Sequence, residues 1–138
     1  MIRHKAKNKE NGEWVEGFYV EHHILCDGKT IKEHAIWNQS INAPWSYFTE
    51  IDFDTLGVCI GRKDIKGKLI FENDIVRLRN KRYERIVTGC IMYDSELAAF
   101  VCHVDTDTYA SEYSSRYLTL DSDIWDLEVI GNFYDNDD

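Results

Sequence analysis

The stretch "IGRKDIKGKLIFENDIV", Ile60 to Val76, decides how the rest of the chain is read. Four basic residues and two glycines stand ahead of a short apolar run. A phosphate-binding loop needs glycines spaced to open a helix after a strand, with Lys and then Ser or Thr at the helix start, because free N–H groups there hold the anion. Only Gly57, Gly61 and Gly67 are near, and no helical periodicity follows. The part "DIKGKLIFENDIV", Asp64 to Val76, therefore reads as turn, strand, turn, strand. Gly67 takes positive φ at no steric cost, so "DIKGK" is a connection between extended pieces. Asn73 also tolerates the left-handed region, which makes "EN" a second reversal. Asp74 can bond nearby backbone amides and pin the start of the strand that follows.

Working outward, the same punctuation recurs. "NDIVRLR" alternates, with Val76 and Leu78 on one face and Arg77 and Arg79 on the other. "NKRYE" is a polar turn, "RIVTGCIMY" a strand, "DSE" a tight turn and "LAAFVCHV" its antiparallel partner. "DTDTYASEYSSRY" is a polar excursion, and "YLTL" and "LEVIGNFY" supply two more strands. Upstream, "EWVEGFYV" is a strand whose Gly17 signals a bulge or a close backbone approach. The Asp-Gly of "CDGKT" favours a tight hairpin joining "YVEHHIL" to "IKEHAIW". Residues 38–50, with the only proline, read as a loop.

These signals predict a mainly β chain (β-rich α+β), with helix limited to a turn or two. The many short strands of the second half suggest a compact, partly closed sheet such as an SH3-like barrel. The organisation expected is an N-terminal β-rich subdomain over 1–50 and a C-terminal SH3-like β-barrel subdomain over 51–138, together one compact unit.

Composition narrows the function classes. The 138 residues are 43% hydrophobic and 13% aromatic, enough for a packed core. The net charge of −9 is uneven: Arg62 to Arg85 carry +5, residues 86–138 carry −11, and residues 1–61 carry −3. The acidic balance opposes general attraction to nucleic acid, which proteins bind by neutralising phosphates, while the basic island keeps a local exception open. Cys26, Cys59, Cys90 and Cys102 form no Cys-x-x-Cys pair, and the basic start "MIRHKAKNKENGEW" lacks the apolar run of a signal peptide. No run reaches the length of a membrane span. A cytoplasmic protein with reduced thiols is expected.

Three blocks resemble a known family. They are "NGEWVEGFYV" (Asn11 to Val20), "IDFDTLGVCIGRKDIKGKLIFENDIV" (Ile51 to Val76) and "LEVIGNFYDN" (Leu127 to Asn136). In order and content they resemble the YopX proteins of phages and prophages of Gram-positive bacteria. Phe53 stands where that pattern has proline, and Asn73 where it usually has glycine. The resemblance implies a β-rich fold with a small N-terminal part and an SH3-like C-terminal part. It also implies a phage or prophage origin and expression in a bacterial cytoplasm. It brings no established catalytic mechanism.

Candidate chemistry is sparse. His22, His23, Cys26 and His34 are zinc-type ligands close in sequence, but a His-His dipeptide on a strand points to opposite faces, and the reading preferred is exposed or packed histidines and a buried thiol. Cys59, Cys90 and Cys102 sit in apolar runs as core residues, and adjacent Cys102 and His103 face opposite ways. "DTDT" and "DSDIWD" carry calcium-type oxygens without the spacing of a binding loop. No catalytic residue, metal ligand, cofactor or small-molecule substrate is assigned. The candidate binding surface is Arg77, Arg79, Lys81, Arg82, Tyr83 and Arg85 around the "NKRYE" hairpin. The function expected is a non-enzymatic module that binds a protein partner or self-associates. Nucleic-acid binding by the Arg77–Arg85 hairpin is the second reading. An enzyme or metal protein using His22, His23, Cys26 and His34 is the third.

Overall fold

The computed structural model describes residues 2–39, 46–104 and 117–135. Among them there are ten strands and no helix. They are β1 (His4–Asn8), β2 (Trp14–Cys26), β3 (Lys29–Gln39), β4 (Ser46–Lys63), β5 (Leu69–Phe71), β6 (Asp74–Asn80), β7 (Ile86–Asp94), β8 (Ala99–Val104), β9 (Tyr117–Thr119) and β10 (Trp125–Asn132). The mainly β reading holds, and the one or two helical turns allowed for do not occur among the described residues. The "DTDT" excursion lies outside them.

The chain divides into two compact units, Met1–Cys59 and Ile60–Asp138. The sequence placed this division nine residues earlier, because "NAPWS" and the following residues read as a loop. Instead, β4 is a continuous strand from Ser46 to Lys63 that crosses residues 50 and 51 without interruption. Pairing partners distant in sequence overrode the weak local signal there, as they often do for strands.

In the first unit the strands follow the order β1-β2-β3-β4, and β1 also pairs with β4. That second pairing closes a four-stranded ring, which removes the open edges of β1. Its small core is Ala6, Ile36 and Ile51, with Val15, Tyr19 and Leu56 packed against it. Gly17 is explained by a close approach: a Cβ there would run into the Trp37 carbonyl oxygen and lie 2.7 Å from Ile36 Cγ2. The ring is irregular at one point, where the β1–β4 register shifts between Lys5 and Lys7. Phe53 to Leu56 have only Ala6 opposite them there, and buried Thr55 pins this bulge by accepting from Lys7 N and donating to the Asp52 carbonyl. The hairpin predicted at Asp27-Gly28 is present, both residues having positive φ (51° and 76°), as a tight two-residue turn requires.

In the second unit β10-β6-β7-β8-β9 form one antiparallel sheet. The last strand lies beside the first and the rest meander from β6 to β9, while the closed ring among the described strands is that of the first unit. β6 has the alternation its sequence announced: Val76 and Leu78 are buried, Arg77 and Arg79 exposed. The core beneath it comprises Ile70, Val76, Leu78, Val87, Ile91, Cys102, Val104, Leu118, Trp125 and Leu127. Each large side chain fully buried in this way contributes about 1.5–3 kcal/mol.

Ile60 to Lys63 are the end of β4, and from Asp64 onward the opening stretch folds as turn, strand, turn, strand. "DIKGK" closes with Asp64 N donating to Lys68 O and Gly67 N to Asp64 O, and "EN" turns at Asn73 with φ 75°.

Candidate docking face on the C-terminal sheet

Two aspartates fix the frame on which the exposed arginines stand. Asp64 is only 8% exposed; its Oδ1 accepts from the N–H groups of Lys66 and Lys68, and its Oδ2 from that of Val129, each at 2.9 Å. Burial alone would raise its pKa, but the backbone donors of Val129, Lys68 and Lys66, helped by the Lys68 charge, outweigh it and hold the carboxyl below its ordinary value. Asp74 is fully buried; its Oδ2 accepts from Phe71 N and its Oδ1 from Asn132 Nδ2, both at 2.9 Å. Ile65 N adds a bond to Leu127 O, and Phe133 N one to Asn73 O. Together these bonds tie both turns of the opening stretch to β10 and place Ile65 and Lys66 beside it.

The face presented by β10, β6 and β7 follows from register. Arg77 stands opposite Glu128 on one side and Thr88 on the other. Arg79 stands opposite Asp126 and Ile86. The result is two cross-strand rows, each with an arginine next to a carboxylate. Lysines extend them: Lys66 Nζ lies 3.2 Å from Glu128 Oε1, and Lys81 Nζ 3.7 Å from Asp126 Oδ1. Arg79 Nη2 also lies 3.7 Å from Glu84 Oε1. Ile65, Arg77, Arg79, Ile86, Asp126 and Glu128 line a shallow hollow of about 220 Å³. Ile65 and Ile86 are 60% and 54% exposed, so the hollow has apolar shoulders.

The hairpin after β6 is a built turn. Asn80 N donates to Arg85 O, and Asn80 Oδ1 accepts from the N–H groups of Arg82 and Tyr83. Tyr83 is 72% exposed with the Arg82 guanidinium 5.8 Å from its ring centre.

The six residues singled out from sequence thus separate into two groups. Arg77 and Arg79 stand on the sheet face, with Lys81 reaching toward it, while Arg82, Tyr83 and Arg85 belong to the hairpin and its return. Sequence reasoning missed Asp126 and Glu128. Their alternation in "DLEV" was a visible sign of one exposed face, but which residues they oppose depends on β10 returning beside β6.

The histidine group is not assembled. His22 is opposite Glu33 and stacks on Phe48 at 4.8 Å, while His23 is opposite Lys32 on the other face. His34 stacks on Phe53 at 4.0 Å and its Nδ1 lies 2.6 Å from the Tyr19 hydroxyl. Burial, and then the charge of Glu21, raise the Tyr19 pKa, so the hydroxyl stays neutral. Cys26 is exposed beside the hairpin turn, not buried as the sequence suggested, since its strand has run past the ring by that point. No group of three or more His, Cys, Asp or Glu side chains comes together as a metal site among the described residues. In "DSDIWD", Asp121 Oδ1 accepts from Asp123 N as part of a turn. Cys102 is fully buried; burial first, and then Cys90, push its thiol up to about 12, while neighbouring His103 points outward. Cys59 and Cys90 are half-buried.

The family model described as "YopX protein" matches residues 3–138. The chain belongs to the YopX family. Neither the curated proteins nor the solved structures compared with it contain a match. In this YopX protein the second and third resembling blocks meet in space: Asp64 and Asp74 of one bond Val129 and Asn132 of the other. Among the described residues no helix is long and apolar enough to cross a membrane.

Proposed function

We propose that this YopX protein is a non-enzymatic interaction module that docks a protein partner through the β10–β6–β7 face. Membership in the family supports a phage-type protein, and the proposed setting is the cytoplasm of the bacterial host. The observation that carries the reading is the interleaving of charge: Arg77 beside Glu128, and Arg79 beside Asp126. A nucleic-acid backbone approaching those arginines would meet a carboxylate in each row, and the overall charge of −9 adds repulsion. A protein surface with both signs can match such rows, and charge matching sets register and rejects wrong partners. The hollow, at about 220 Å³, is below the roughly 300–1,000 Å³ usual for small-molecule sites but large enough for an anchoring side chain.

The test is affinity capture from nuclease-treated host lysate with wild-type bait and with the Arg77→Glu, Arg79→Glu double variant. A defined protein held by the wild type and lost by the double variant is the expected outcome. Equal capture by both baits contradicts the assignment of this face. The nucleic-acid reading draws on exposed Tyr83 and its neighbour Arg82. It requires oligonucleotide binding that falls steeply with salt and collapses when Arg77, Arg79 and Arg82 become alanine.

A further inference from the structure

We propose that β2 pairs edge to edge with β2 of a second copy of this chain, antiparallel and centred on His22. The ladder between β1 and β2 ends at the pair His4–Gly17. From Phe18 to Cys26, β2 has β3 on one side and, among the described residues, no strand on the other. The pairing with β3 runs unbroken from Phe18–Trp37 to Cys26–Lys29. An edge of nine residues at about 3.4 Å each is roughly 30 Å long.

Long regular edges are normally blunted by lysine, proline or a bulge, because their unpaired N–H and C=O groups template further strands. β3 follows that rule. It pairs with β4 only from Ala35 onward, and its remaining edge carries Lys29 and Lys32. The β2 edge, "FYVEHHILC", has no lysine, arginine or proline. Leu25 is 76% exposed near its end. A two-stranded ribbon is marginal in water by itself, so a third and fourth strand would stabilise it.

The edge is also complementary to itself. A two-fold axis normal to the sheet keeps opposed residues on the same face and makes an isologous contact. Centred on His22, it sets Glu21 opposite His23 of the second copy, Val20 opposite Ile24, Tyr19 opposite Leu25 and Phe18 opposite Cys26. At the axis His22 meets its own copy; outward from it acid meets imidazole and then largely apolar side chains meet one another, and the whole open edge is used. Cross-strand pairs of this kind favour a register, and like charges disfavour one. Centring on Glu21 would set that carboxylate against its own copy. Centring on His23 would set Glu21 opposite Leu25. This inference concerns the first unit alone and does not depend on the arginine face.

The test uses the full chain. Sedimentation velocity at micromolar concentration is expected to show a dimer, and Ile24→Lys, which inserts lysine beside Val20 of the other copy twice, a monomer with unchanged circular dichroism. Register is read by oxidative cross-linking in a Cys26→Ser background. His22→Cys alone should give a covalent dimer. Glu21→Cys and His23→Cys should each fail alone but cross-link when mixed. A monomeric wild type overturns the proposal, as does a dimer that survives Ile24→Lys or cross-links in another register. Capture of a strand from a different protein by a monomeric chain would overturn it equally.

Discussion

Asp64 shows how one side chain can join two of the resembling blocks and carry a stability effect. Its carboxylate accepts three backbone N–H bonds from two segments far apart in sequence. Replacing it with asparagine leaves an amide N–H facing a donor, and the expected cost is about 2–3 kcal/mol at neutral pH. The sign of its pH dependence follows from the depressed pKa. The folded carboxyl titrates below its ordinary 3.8, so the stabilisation is complete above that value and disappears as pH falls through the folded pKa. Chemical denaturation of the wild type and Asp64→Asn should therefore show a constant difference from about pH 5 to 7 that narrows below about pH 4. A difference that persists unchanged to pH 3 would mean the carboxylate charge is not what the backbone donors stabilise. Asp74 was legible in the sequence as a local pin at a strand start; its bond to Asn132 was not, because that partner comes from the far end of the chain.

At the scale of elements, glycine placement and alternation carried most of the fold. "NDIVRLR" was read with its inner and outer faces as found, and the Asp-Gly hairpin and the turns at Gly67 and Asn73 stand where the chemistry of positive φ put them. β4 was largely missed. Its first residues, "SYFTE", follow the proline-bearing segment, and their strand character comes from pairing with β3, which no local signal announces. Closure of the first ring was illegible for the same reason: the β1–β4 pairing depends on topology. The close approach at Gly17 gives this element its prediction. Gly17→Ala must push β2 away from the Trp37 carbonyl and Ile36, at a cost of about 2 kcal/mol, seen as a lower denaturation midpoint. An unchanged midpoint would show that the two strands can separate freely there.

For the molecule as a whole, charge order matters more than charge total. The sequence exposed a basic island in an acidic chain, and half of the candidate face with it: the arginines. The other half, Asp126 and Glu128, lies in the acidic region that composition alone set against the island as a separate patch. β10 instead lays those carboxylates between β6 and the turn that holds Ile65 and Lys66, so the two signs alternate across one surface. A ligand that only measures net charge and one that reads the pattern will respond differently to exchanging the signs.

That difference supplies the most direct measurement. The double variant Arg79→Asp, Asp126→Arg keeps the net charge and the cross-strand pair while reversing its order. Captured protein should be lost from this bait in nuclease-treated lysate, with the unfolding midpoint of the bait unchanged. Capture that continues undiminished would contradict a docking face built on interleaved charge.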